Sequence, residues 1–296
     1  MQNTRFSNKY TDMQAAVKLK LLVLVKTKPI PSKKYAEIVC TAGIREDGTW
    51  VRIFPIKYRQ LAKDQQFRKY QWIECYGYKP SNDNRPESYH IDMARGLKCV
   101  GEPLDTKRKW ELRRQAVLDK TKPKVYESLR ELIGDGKSNK VTLAVFKPTT
   151  RRLVCEKARK PEDPERYAAA MAAVMAPDLF EDNGWREDFK LCEKIPFDFK
   201  YEVTDSEGKK AKFTILDWEI GALFYHAKHD RHKTDEEAKA EVIQKYGEQF
   251  CREDINLHFY MGTMNESHKR HFDNPWSIIG VAEFPATQAT QMALPL

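Results

Sequence analysis

Two short carboxylate groupings hold the residue types of metal-assisted phosphodiester cleavage. Asp198-Phe199-Lys200 and Asp217-Trp218-Glu219 set acids at strand positions or strand ends, and a nuclease gathers Mg²⁺ at the scissile phosphate with such carboxylates. Tripeptides of this kind also arise by chance in nearly every chain. A third grouping, H-A-K-H-D-R-H, places His226, His229 and His232 three apart. On a helix those steps keep the imidazoles near one face, where His226 and His229 could hold zinc or a harder cation together with Asp217 or Glu219. Their spacing matches no metal signature, and they fall at a helix end, where solvated histidine is ordinary. No resident metal is therefore expected, and Mg²⁺ enters only with the cleavage reading. The sequence has no P-loop, no G-x-G-x-x-G after a strand, no G-x-S-x-G and no H-E-x-x-H, which removes the usual support for an ATPase, a dinucleotide enzyme, a serine hydrolase or a zincin.

The denser chemistry is cationic and aromatic. Residues 50–72 interleave Trp50, Phe54, Tyr58, Phe67, Tyr70 and Trp72 with Arg52, Lys57, Arg59, Lys63, Arg68 and Lys69, against the single acid Asp64. Cations neutralise phosphates, and flat rings offer bases a surface to stack on. Half of those rings could equally be core, since on an alternating strand Val51 and Ile53 face one way and Trp50, Arg52 and Phe54 the other. Two segments extend the set. Lys26, Lys28, Lys33 and Lys34 lie on the proline-stiffened loop 26–34, suited to touch a phosphate backbone. Lys107, Arg108, Lys109, Arg113 and Arg114 follow a helix start at Asp105 or Thr106, and cations in a helix's first turn oppose its dipole, which an outside anion would relieve. The polar cluster R-P-E-S-Y-H, residues 85–90, fits pairing of Arg85 and Glu87 with each other or with neighbours better than catalysis.

The elements that must position these groups follow from pattern. Strands are expected at 19–26, 36–44, 50–54 and 70–78, with Asp47-Gly48 as a tight hairpin turn. Helices are expected near 107–119, 123–133 and 164–176, with a buried strand at 140–147 between them. A second hairpin turns at Asp205–Gly208, two helices follow, and strands at 257–263 and 277–284 close the body. Segregated hairpins and helices without a β-α-β rhythm give an α+β fold, with a β-rich first half forming a twisted sheet or partial barrel. The charge is uneven: residues 1–150 hold 31 Lys and Arg against 16 Asp and Glu, and the remainder 21 against 27. An anionic partner for the first half follows. The regions read as 1–158, basic and nucleic-acid-binding; 166–285, acidic and packed on the first; and 286–296, a tail. The longest early apolar run, Leu19 to Val25, suits neither a signal peptide nor a membrane span. Six dispersed cysteines without a C-x-x-C pair read as reduced thiols, and a cytoplasmic protein is expected.

The sequence ends Q-M-A-L-P-L, apolar residues following the polar stretch A-T-Q-A-T. Gln291, Met292, Ala293, Leu294, Pro295 and Leu296 resemble the bacterial sliding-clamp-binding motif: Gln, then Leu or Met, a small or polar residue, Leu, and a last apolar residue with or without one spacer. The resemblance implies that Gln291 hydrogen-bonds at the rim of a pocket on the clamp, that Met292 anchors the middle, and that Leu294 and Leu296 fill the apolar subsites. The body is similar to a bacterial family with no activity attached, through Y-A-E-I-V-C-T-A-G-I, R-P-E-S-Y, I-L-D-W-E and I-I-G-V. The expected function is a DNA-binding protein, DNA favoured over RNA, recruited to the replication clamp and acting in replication, repair or anti-phage defence. The alternatives are a clamp-tethered metal-dependent nuclease or base-processing enzyme, and a non-enzymatic regulator that occupies the clamp.

Overall fold

The alternation Lys18-Leu19-Lys20-Leu21 has the period of a strand with one wet face, and it opens β1 (Val17–Lys26). The structure is a computed structural model that describes residues 15–122, 124–158, 164–175, 189–265, 270 and 272–286. β1 pairs antiparallel with β3 (Ala36–Ile44) on one side and β5 (Trp72–Tyr78) on the other. β3 returns as β4 (Trp50–Ile56), which runs parallel to β6 (Ser88–Ile91), and β6 joins β5 through Gly77↔Ile91 and Tyr78↔His90. The circuit β1-β3-β4-β6-β5-β1 makes a five-stranded Greek-key barrel with a thin seam, the arrangement of the OB fold. Two short strands extend it, β2 (Ile30–Ser32) beside β3 and β7 (Leu97–Val100) beside β5. Inward residues of alternate positions, among them Leu19, Leu21, Val39, Val51, Ile53 and Ile73, fill the barrel together with Tyr58 and Phe67. In the β3–β4 turn Gly48 takes φ +80°, and a Cβ there would lie 1.4 Å from the Lys120 carbonyl oxygen, so only glycine closes it.

The remaining strands form two three-stranded sheets. β8 (Leu143–Phe146) pairs with β12 (Ile255–Thr263), which pairs with β13 (Trp276–Pro285); β9 (Thr150–Lys157) pairs with β10 (Phe197–Thr204), which turns at Asp205–Gly208 into β11 (Lys210–Thr214). Asp205 organises that turn by accepting from the Glu207, Lys209 and Leu129 amides. Helices fill the spaces: α1 (Lys107–Arg114), α2 (Leu129–Lys137), α3 (Pro164–Met175), α4 (Trp218–Tyr225) and α5 (Asp235–Val242). Their starts are chemically marked. Ser128 caps α2 at Glu131 N–H, Asp217 caps α4 at Glu219 N–H, and Thr234 with Glu237 makes a capping box at α5.

The sheet β8-β12-β13 is buried on both sides, which is why L-A-V-F and I-I-G-V-A-E-F read as continuous apolar runs. One side, with Phe146, Phe259, Met261, Ile278 and Val281, packs on β10, β11, α4 and α5. The other, with Leu143, Val145, Tyr260, Ile279 and Phe284, packs on the outer side of the barrel at Leu22, Leu24, Ala42, Ile44 and Trp50. Gly280 permits the approach: a Cβ there would lie 2.9 Å from the Tyr260 ring and 3.2 Å from Val25. Each large apolar side chain so buried contributes about 1.5–3 kcal/mol.

The fold is α+β with a β-rich first half, as expected. The pairing adds four strands to those expected: β2, on the segment read as a loop, and β6, β7 and β9. It also joins β8 to β12 and β9 to β10, strands of the second half. α2 starts at Leu129, not 123. None of the six cysteines forms a disulfide. Among the described residues no helix is long and apolar enough to cross a membrane.

Candidate nucleic-acid interface

The side of β3 and β4 that alternation turns outward is dry. Trp50 is 5% exposed and sets its ring edge-on to Tyr260 at 6.2 Å. Arg52, 3% exposed, donates to the Thr142 carbonyl at 2.9 Å, the Thr142 hydroxyl at 3.0 Å and Ser88 at 3.2 Å; burial, reinforced by the neighbouring Arg85 charge, pushes its guanidinium down to about 10. Tyr58 is inside the barrel mouth and donates to the Phe67 carbonyl at 2.8 Å. Trp50, Arg52 and Tyr58 are thus corrected from surface contacts to packing groups, because the second half lies where a ligand would. Arg85 and Glu87 pair with neighbours across the same seam, Arg85 with Asp83 and the Thr263 carbonyl, Glu87 with the Thr142 amide and hydroxyl.

Two more of the expected cations close the seam with two of the expected acids. Lys69 donates to Glu219 at 3.0 Å and to the Val281 carbonyl at 2.7 Å. Asp217, 3% exposed, accepts from the Glu219 amide at 3.1 Å and the Val281 amide at 3.2 Å. Burial raises the Asp217 carboxyl to about 7 against the pull of Lys69. Burial would lower Lys69, yet Glu219 holds it above its ordinary range. Lys26 donates to the Tyr58 hydroxyl at 2.9 Å and lies over the Tyr58 ring at 4.0 Å and the Trp218 ring at 5.2 Å; desolvation pushes it down to about 8. Asp217 and Glu219 are therefore held by a helix cap and a buried ammonium. Asp198 stands apart on β10, opposite Glu156 of β9.

The other groups scatter. Arg59 pairs with Glu37 at 2.9 Å and covers the Phe189 ring. Lys57 is half-buried, and Lys33 and Lys34 are exposed after β2. Lys28 lines a cleft between the halves. Arg113 lies over Tyr70 and Trp110 and donates to the Leu104 carbonyl. Arg114 is half-buried. Lys107 and Arg108 are exposed, but Arg108, Lys109 and Trp110 take positive φ, so the first turn of α1 is left-handed and no dipole is opposed there. Arg68 is exposed and pairs with Glu102. His226 contacts Asp230, while His229 stacks on Tyr225 at 5.9 Å and lies 3.9 Å from Glu193. Among the described residues no three His, Cys, Asp or Glu gather as metal ligands. Gln291, Met292, Leu294 and Leu296 lie outside the described residues.

The open side of the barrel is where rings and cations meet in water. Along β5, alternate residues Trp72, Glu74, Tyr76 and Tyr78 face outward and are all partly exposed, with neighbours two apart standing roughly 6.7 Å from one another. β1 flanks them with Lys18 opposite Tyr76 and Lys20 opposite Glu74; β7 flanks the other edge with Lys98 opposite Glu74. Lys20 lies over Trp72 at 5.5 Å, Arg95 over Tyr76 at 5.0 Å, and His90 stacks on Tyr78 at 4.9 Å. The one acid on the strip, Glu74, is ion-paired to Lys18 at 2.9 Å. Of the predicted segment 50–72, only its end reaches this strip. The missed signal was the alternation itself: Lys18 and Lys20 between leucines, and Tyr76 and Tyr78 in step with Trp72.

Among curated proteins nothing matches this chain. Among solved structures it is similar to a replication protein A heterotrimer bound to ssDNA, at 12% identity over 95% of this chain and 68% of that one, with a TM-score of 0.23, a score at which the likeness carries no argument. Residues 17–119 match a domain of unknown function, DUF8758, whose bounds coincide with the barrel and its flanking α1 segment. Residues 125–295, more than half of the chain, match a second domain of unknown function, DUF8757, and the chain belongs to that family.

Proposed function

We propose that this protein binds single-stranded nucleic acid, DNA in preference to RNA, along the open side of its barrel, and that residues 291–296 bring it to the replication sliding clamp. The observation that carries the first part is the ladder Trp72, Tyr76 and Tyr78 between the cations Lys18, Lys20, Arg95 and Lys98. Rings can stack only on bases that are not already stacked in a duplex, so the ladder fits a single strand, with its phosphates along the lysine rows. The barrel type is known for oligonucleotide binding on another side, but a fold alone assigns no function, and here that side is covered by β8-β12-β13.

The preference for DNA and the clamp partner rest on the Gln291–Leu296 motif. Non-specific phosphate binding is weak, with dissociation constants of roughly 10⁻⁴–10⁻⁶ M. A second attachment to a ring already on DNA raises the local concentration to the order of millimolar, which compensates. Fluorescence anisotropy of a labelled oligothymidylate tests the first part. Replacing Lys18, Lys20 and Lys98 together by Ala lowers the slope of log K against log salt by about two. Tyr76→Ala weakens binding about tenfold and leaves that slope unchanged. Binding that ignores all four substitutions refutes the interface. Capture on immobilised clamp tests the second part: a chain truncated before Gln291 is lost from the resin, and equal retention rejects recruitment.

A further inference from the structure

A cleft of about 270 Å³ opens between the loop Lys28-Pro29-Ile30-Pro31 and the half-buried side of α4. Its α4 wall is Trp218, Gly221, Ala222 and Tyr225, positions that share one helix face. The two small residues leave a slot bracketed by an indole and a phenol ring. Facing them, Pro29 and Pro31 make a stiff apolar wall on either side of Ile30. The rim is cationic. Lys28 is half-buried, and desolvation lowers its pKa, with Asp198 acting the other way and Lys194 adding to the lowering. Arg166 is pinned to the wall by donating to the Pro31 carbonyl at 2.8 Å, and Lys194 lines the opposite side. Glu193, on the lining, lies 3.6 Å from Lys228 and 3.9 Å from His229.

A flat slot beside a desolvated cation selects a planar ring joined to an anion. We infer that this cleft binds one nucleoside phosphate, its base between Trp218 and Tyr225 and its phosphate at Lys28 and Arg166. The volume sits at the lower edge of small-molecule sites, which run from roughly 300 to 1,000 Å³, so one nucleotide fits and a dinucleotide does not. The source is either a free nucleotide or the phosphorylated end of a strand. The cleft is distinct from the β5 strip and does not depend on it.

Titration calorimetry of the full chain with dAMP, deoxyadenosine and inorganic phosphate tests the inference. Saturable dAMP binding in the range of roughly 0.1–1 mM is expected, at least tenfold weaker for deoxyadenosine and for phosphate alone. Lys28→Gln abolishes the advantage of dAMP over deoxyadenosine, and Ala222→Leu, which fills the slot without changing charge, abolishes binding of both. Both variants keep the wild-type melting temperature and the wild-type affinity for unphosphorylated oligothymidylate, which separates this site from the strip. Comparing 5′-phosphorylated with unphosphorylated oligothymidylate assigns the source: a Lys28-dependent preference for the former marks a strand end, its absence a free nucleotide. Equal dAMP affinity in wild type, Lys28→Gln and Ala222→Leu overturns the site, as does inorganic phosphate binding as tightly as dAMP.

Discussion

The outward side of β3 and β4 and the outward side of β5 belong to one barrel, and both set aromatic rings beside cations. On the first, Trp50 and Arg52 are sealed under Tyr260 and Thr142; on the second, Trp72 is half-buried against the edge of the same layer, with Lys20 exposed over its ring. The difference lies in what each side must satisfy. Arg52 makes two hydrogen bonds to Thr142 of the other half and one to Ser88 of the barrel, and at 3% exposure it lies out of reach of a phosphate. Lys18 and Lys20 make exposed ion pairs with single carboxylates, which phosphates can replace at little cost. Composition alone therefore does not separate a docking side from a binding side; the number of partners each cation has inside the protein does.

The comparison breaks most severely at Phe284. Its ring lies in the layer between barrel and second half, edge-on to Trp110 at 6.3 Å and His258 at 5.7 Å. Phe284→Ala removes about 3–5 kcal/mol. Because the layer is shared, calorimetry should show one transition moved down; two separated transitions would mean that the halves unfold independently. Next comes an exchange of equal charge. Arg52→Met and Lys98→Ala each remove one cation, yet the first should cost about 3 kcal/mol of stability by stranding the Thr142 carbonyl and uncovering Glu87, with little change in oligonucleotide affinity. Lys98→Ala should do the reverse. Equal effects of the two on affinity would erase the distinction between the sides.

Acid provides a third way to open the dry side alone. His258 is 2% exposed on β12, its Nδ1–H donates to the Asn256 carbonyl at 3.1 Å, and burial pushes its pKa down to about 4. In the unfolded chain it titrates near 6.5, so between those values the unfolded state holds the extra proton. The stabilisation is complete above pH 6.5 and is lost as pH falls towards 4, by about 3 kcal/mol. His258→Gln should flatten that part of the urea-midpoint profile against pH; an unchanged slope would assign acid lability elsewhere.

Much of this fold was readable from period and caps. β1, β3, β4, β12 and β13 follow apolar runs or alternation, Gly48 marked the β3–β4 turn and Gly208 the β10–β11 turn. β6 and β9 were not readable, since S-Y-H-I is four residues of mixed polarity and T-R-R-L-V-C-E-K has its outward charges neutralised by Glu202 and Lys200 across the sheet rather than by neighbours in sequence. The site divides in the same way. The basic and aromatic character of the first half was plain, but the depth of each ring depended on a second half that pairs from residues 143 to 285, contacts with no local signature. Lys69 and Asp217 looked like a phosphate contact and a metal ligand, and the chain between them folds back to make them one buried cluster.

The smallest effect sharpens the wet side most directly. Glu74 interrupts the cation row between Lys20 and Lys98 and is held below the usual carboxylate range chiefly by the hydrogen bond from Lys18. It is the one negative charge a strand would meet on β5. Glu74→Gln keeps the side-chain shape and strand pairing, releases Lys18 for a phosphate and removes the repulsion. Since exposed pairs contribute little, the melting temperature should not change, while oligothymidylate should bind about two- to threefold tighter at low salt, and the gain should shrink as salt screens it. A substitution that tightens binding has no counterpart on the β3–β4 side, where Arg52 is buried and hydrogen-bonded inside the protein. If Glu74→Gln instead weakens binding, the carboxylate is holding Lys18 in the geometry that receives the phosphate, and the strand runs along β1 rather than over the rings of β5.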